Sequence, residues 1–142
     1  MNQRYIGTKI ILALAMTRLA YNEYRGWDLP ADENGADEGY LVEYQDGGKP
    51  NHPGHAGYIS WSPKEQFDAA YLPIGNTEGL APHQIRVVAE KAQVDDKIGK
   101  LSAFFDTDVF KGLPDKESEL LTAQLGAMRE YSDLLAERIA LF

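Results

Sequence analysis

Asp32, Asn34 and Glu43 occupy the first, third and twelfth positions of the stretch DENGADEGYLVE, three anchor points of a calcium-binding EF-hand loop. That chemistry also needs an oxygen ligand at position five and a glycine at position six for the sharp turn. Those positions hold Ala36 and Asp37, and WDLPA, with its Pro30, stands where the entering helix should be. The stretch therefore reads as a solvated acidic turn leading into a strand over GYLVEY. Its carboxylates repel anions, so it is expected to face solvent, away from any pocket for an anionic ligand.

The other reactive side chains form no catalytic pattern. His52 and His55, in NHPGH, have the spacing of paired metal ligands only on a helix, which Pro53 and Gly54 oppose. The chain has no cysteine to complete a zinc site, form a disulfide or act as a thiol nucleophile. Ser60 and Ser62 lack the G-x-S-x-G elbow, and neither a Walker nor a Rossmann glycine pattern occurs. This inventory predicts a protein that is not an enzyme, with no metal and no cofactor.

What remains is a set of residues suited to binding. Arg25, Gly26 and Trp27 end a predicted helix, Tyr40 and Tyr44 lie on one strand, and Tyr58 and Trp61 lie on the next, with Lys64 just beyond. Aromatic faces interspersed with Arg and Lys stack a flat base and neutralise a phosphate. Arg25, Trp27, Tyr58, Trp61 and Lys64 are the candidates for a pocket in the first half. The same aromatics also serve as core in a small domain, a competing reading at Trp27 and Trp61. Arg86, Lys91, Arg129 and Arg138, farther along, are candidates for phosphate contacts at a junction between subunits; surface ion pairing with the many acids is their plainer role.

Positioning these residues takes two kinds of structure. With 142 residues, 44% hydrophobic and 25% charged, the chain has the composition of a soluble globular protein. Its net charge of -8 argues against an open basic surface for polymeric nucleic acid and against a cationic membrane-binding face. The apolar run IILALA is too short to span a membrane, and β-branched Ile6, Thr8, Ile10 and Ile11 place it in a strand over Tyr5–Leu14. Thr17 caps a helix over RLAYNEYR that stops at Gly26. YISW is a further strand, and Ser62, Pro63 and Glu65 form the start signal of a helix running to about Tyr71.

From LPIGNTEGLAP onward the grammar changes. Val87, Val94, Ile98, Leu101 and Phe105 follow at intervals of seven, four, three and four, a helical stripe opened by Pro82. Gly112 and Pro114 mark the start of a last helix. It carries one stripe of Leu121, Leu125, Met128, Leu135, Ile139 and Phe142, broken at Ser132, and a second of Leu120, Tyr131, Leu134 and Leu141. A hairpin covers one stripe, and two call for another partner, so self-association is expected. The expected fold is α+β: a small mixed sheet with short helices in residues 1–76, then a long antiparallel helical hairpin in residues 77–142 that oligomerises.

Two stretches resemble known families. YIGTKIILALAMTRLAYNEYRGWDLPADENGADEGYLVEY with GYISWSPKEQFDAAY resembles a module common in tailed-phage and prophage genomes, in the pattern of the second Thoeris anti-defence family. LAPHQIRVVAEKAQVDDKIGKLSAFF with LLTAQLGAMREYSDLLAERIALF resembles the helical hairpin of the anti-CBASS sponge and of the first Thoeris anti-defence protein, and a group related to a crAss-like phage protein. The resemblance implies an oligomeric sponge in the cytoplasm of an infected bacterium. Such a sponge holds a cyclic nucleotide or cyclic ADP-ribose-type immune messenger uncleaved. The other class open to the sequence is a small phage interaction protein whose hairpin docks a host or phage protein.

Overall fold

The computed structural model describes all 142 residues, which divide into two compact units, Met1–Tyr71 and Leu72–Phe142. The chain order is β1 (Ile11–Ala15), α1 (Arg18–Arg25), β2 (Gly39–Tyr44), β3 (Tyr58–Pro63), α2 (Lys64–Ala70), α3 (Pro82–Phe104), α4 (Asp108–Lys111) and α5 (Asp115–Ile139). The fold is α+β, a three-stranded sheet followed by long helices. No helix is long and apolar enough to cross a membrane.

In the first unit the sheet runs β1-β2-β3, with Leu14 opposite Leu41 and Leu41 opposite Trp61. It is antiparallel throughout, which corrects the expected mixed sheet. A parallel neighbour needs a crossover of a dozen or more residues, usually helical, and the loop from β2 to β3 contains no helix. The segment between β1 and β2 does hold one, but its following turn brings the chain back beside β1. Met16, Arg18 and Leu19 donate their N–H groups to the carbonyls of Gly39, Asp37 and Gly35, at 2.9, 3.0 and 3.0 Å. Tyr21 on α1 then packs on Leu41 and Ile59, flanked by Met16 and Trp61.

The helix α1 follows its sequence signals. Thr17 Oγ1 accepts from Ala20 N–H at 3.2 Å, and Gly26 ends the helix at φ 72°, a left-handed conformation that glycine adopts freely. Two other expectations need correction. The strand predicted from Tyr5 begins only at Ile11, because β2 stops at Tyr44 and leaves the earlier residues no strand to pair with. Ser62 does not cap α2. It lies within β3, and the carbonyl of Glu38 takes the Lys64 N–H at 3.0 Å instead.

The second unit is a hairpin of α3 and α5. Val87, Val94 and Leu135 form its buried cluster, with Ile98, Met128 and Ile139 packed around them. Gln84 Oε1 accepts the Ala81 N–H at 2.9 Å, closing the first turn of α3. The connection contains a one-turn helix, α4, capped by Thr107 Oγ1, which accepts from Phe110 N–H at 3.3 Å. Phe105 stacks on Phe110 with ring centroids 4.4 Å apart, which closes the end of the hairpin.

The break in the apolar stripe at Ser132 is a polar junction, in which a buried serine meets a partly exposed ion pair. Ser132 Oγ donates to Asp95 Oδ1 at 2.5 Å, and Lys91 Nζ donates to Asp95 Oδ2 at 2.6 Å and to Ser132 Oγ at 3.3 Å. The second stripe, Leu120, Tyr131, Leu134 and Leu141, is exposed in the single chain.

Candidate functional site

The helix α1 presents Arg18, Tyr21, Asn22 and Arg25 at intervals of three, one and three, the spacing of one helical face. That face borders β3, and together with Trp27, Pro30, Glu33, Asn51, Tyr58, Ile59, Ser60 and Trp61 it encloses a groove of about 450 Å³. Four of the five residues expected in a first-half pocket, Arg25, Trp27, Tyr58 and Trp61, line it.

Gly26 makes this geometry possible. By turning left-handed it sends the chain back, so that Trp27 N–H donates to Asn22 O at 2.8 Å. The Trp27 indole then meets the Tyr21 ring edge-on, centroids 6.0 Å apart, and the Arg25 guanidinium lies 4.3 Å over the indole centroid. Arg25 also donates to the Tyr21 hydroxyl at 2.9 Å and makes no ion pair with a carboxylate. A guanidinium fixed on an aromatic face without a counter-ion is a preorganised anion receptor.

A second Arg–Trp stack faces it. The Arg18 guanidinium lies 4.4 Å over the Trp61 ring, whose Nε1–H donates to Met16 O at 2.7 Å. Trp61 spreads over Gly39, where any β-carbon would strike the indole. Arg18, unlike Arg25, is neutralised, 3.3 Å from both Glu33 and Asp37. This corrects the expectation that the acidic turn faces away from the pocket. Its Glu33 lines the groove, because Arg18 supplies the positive partner that makes the placement tolerable.

The histidines fasten the loop that closes the groove's far side. His55 bridges Glu43, through Nδ1, and the Tyr24 hydroxyl, 2.7 Å from Nε2. His52 stacks on Tyr24, with ring centroids 4.4 Å apart. Asn51 then pairs with the edge of β3, donating to Ile59 O at 2.9 Å and accepting from Ile59 N–H at 2.8 Å. Both histidines therefore carry structural roles between α1, β2 and this loop.

Lys64 is not in the groove. It lines a separate acidic depression with Asp37, Glu38, Glu65 and Asp68, and its ammonium is held by Asp68 at 2.7 Å. That contact, first the hydrogen bond and then the charge, raises the lysine's pKa. In the hairpin, Lys91 is committed to Asp95 and Ser132, and Arg129 is 3.4 Å from Ser102 Oγ. Arg86 and Arg138 are exposed. The groove residues that sequence reasoning missed, Arg18, Tyr21, Asn22 and Asn51, had one legible signal: the first three share a helical face with Arg25.

Residues 81–141 match the family model named Sequestin, a span that covers α3, α4 and α5. No curated protein and no solved structure matches the chain. The matched residues lie in the hairpin unit, and the groove lies in the other.

Proposed function

We propose that this protein is a phage-derived sponge that binds a cyclic nucleotide or cyclic ADP-ribose-type immune messenger and holds it uncleaved in the bacterial cytoplasm. The Sequestin match is consistent with a sequestering protein. The observation that carries the ligand class is the uncompensated Arg25 guanidinium beside the exposed indole of Trp27 and across from Trp61 and Tyr58. A flat base stacks on the indole or phenol, and a phosphate takes the free N–H groups of Arg25. The ring hydroxyls and Asn22 supply polar contacts at the rim. Sequestration needs affinity and copy number, and no catalytic group has a part in it.

The test is retention. The protein is incubated with cyclic dinucleotides, cyclic trinucleotides and cyclic ADP-ribose isomers, washed, and heated to release what it holds. The reading requires at least one intact compound retained at micromolar affinity or better. A hydrolysed product would make the protein an enzyme, and no retention at all would refute the reading.

A second reading rests on the hairpin. The exposed stripe of Leu120, Tyr131, Leu134 and Leu141 is an unpartnered apolar face, of the kind that docks another protein or a further copy of the hairpin. If that face serves a host or phage protein and the groove is idle, nucleotides will give no thermal shift. A stoichiometric protein partner will then co-purify through the hairpin.

A further inference from the structure

The sequence of the first ten residues has strand character that the single chain does not use. Tyr5, Ile6, Thr8 and Ile10 favour extended structure, yet Tyr5 is 86% exposed and Ile6 91%. Immediately after them β1 forms one edge of the sheet, uncharged from end to end, with Leu12 50% and Leu14 60% exposed. Natural proteins protect such edges with charges, prolines or bulges, and β1 has none of these.

The hydrogen-bond phase of β1 follows from one contact. Met16 N–H donates to Gly39 O, so Met16 and Gly39 are a hydrogen-bonded pair of the antiparallel ladder. Such pairs alternate with non-hydrogen-bonded ones. Leu12 and Leu14 therefore direct their backbone groups at β2, whereas Ile11, Ala13 and Ala15 direct theirs to the open edge. The side chains of Leu12 and Leu14 lie on the sheet face that also carries Leu41 and Ile59, the face of the core.

We propose that the open edge of β1 pairs with the Tyr5–Ile10 arm of a second copy, antiparallel about a two-fold axis at Ile10. In that register Tyr5 opposes Ala15, Gly7 opposes Ala13 and Lys9 opposes Ile11, the pairs whose backbone groups face outward. On the core face Ile6 meets Leu14, Thr8 meets Leu12, and Ile10 meets its own copy. On the outward-bonding face Tyr5 lies over Ala15 and the Lys9 stem over Ile11, and the exposed Ile6 and Leu14 cover each other on the core face. Every residue from Tyr5 to Ala15 is used, with none left over. Moving the axis to Lys9 would set two like charges directly opposite each other, which disfavours that alternative. The product is one six-stranded sheet. The groove borders β3, the far edge of each half, so both grooves stay open in the dimer.

The chain has no native cysteine, so single cysteines report the register directly. Ile10→Cys places two thiols in a non-hydrogen-bonded pair, about 4.5 Å between α-carbons, within disulfide reach. Oxidation of the full-length variant is expected to give a covalent dimer, and the Ile6→Cys, Leu14→Cys double variant a doubly linked one. Leu12→Cys is expected to stay unlinked, because its mate lies four residues along the ladder, about 13 Å away. Ile6→Asp, at a fully exposed position, is expected to halve the mass seen by light scattering with unchanged circular dichroism. The proposal is overturned if Ile10→Cys does not link, if Leu12→Cys links as readily, or if Ile6→Asp leaves the mass unchanged.

Discussion

Arg25 holds its guanidinium 4.3 Å over the ring of Trp27 and pairs with no carboxylate, whereas Arg18, seven residues earlier on the same helix, is paired with two. One groove thus contains a free cation and a neutralised one.

Arg25→Ala should weaken binding of the retained nucleotide by about 10- to 100-fold, the worth of one charge-assisted contact of 1.5–3 kcal/mol. Arg25→Lys should recover only part of it, because an ammonium cannot both stack on Trp27 and present a planar fork. Titration calorimetry at two salt concentrations checks both, and the wild-type affinity should fall as salt rises.

Glu33→Gln should act in the opposite direction. Removing a carboxylate from the groove wall frees Arg18 and makes the site more positive, so anion affinity should rise by several-fold. Arg18→Ala should lower affinity, since it strips Trp61 of its cover and leaves Glu33 and Asp37 without their partner. A pair of variants that moved affinity the same way would contradict this assignment of charges.

His55→Ala should loosen the loop rather than change chemistry. Losing the links to Glu43 and Tyr24 frees the segment that carries Asn51 to the groove. Amide exchange in residues 45–57 should accelerate, with ligand affinity falling several-fold and the exchange of α5 unchanged.

The hairpin should lose stability in acid. The Lys91 hydrogen bond first, and then that of Ser132, lower the Asp95 pKa below its ordinary 3.8. A carboxylate with a depressed folded-state pKa contributes stability that is fully present above its unfolded value and is lost as pH falls through the folded one. Thermal melts should therefore show a contribution that fades below about pH 3.8 and is absent in Asp95→Asn. Leu135→Ala, by contrast, should cost about 2–5 kcal/mol at every pH, since that side chain is 1% exposed and its loss leaves a cavity.

Local signals in the sequence were the legible ones. Thr17 and Gly26 bracket α1, the helical period places α3 and α5, and aromatic residues beside an arginine mark four walls of the groove. What escaped depends on partners distant in the chain. Glu33 enters the groove only because Arg18, fifteen residues away, neutralises it. Lys64 turns away because Asp68 lies one turn ahead on the same short helix. In the single chain no strand forms over Tyr5–Ile10 for a related reason: propensity is a property of the segment, whereas a strand also needs a neighbour.

The Ser132 junction bears on how the hairpin finds its alignment as it folds. Antiparallel helices with apolar residues every three or four positions can slide by one turn and still bury much of their surface. Such a slip in α5 would bring Met128 or Ala136 to the place of Ser132, opposite Asp95 and Lys91. Asp95 and Lys91, both partly open to water, would then lose the hydroxyl that bridges them. Slipped alignments forfeit the hydrogen bonds from Ser132 to Asp95 and from Lys91 to Ser132, which favours the observed alignment. A gap in the apolar seam is thus matched by contacts between the two helices that a one-turn slip would break.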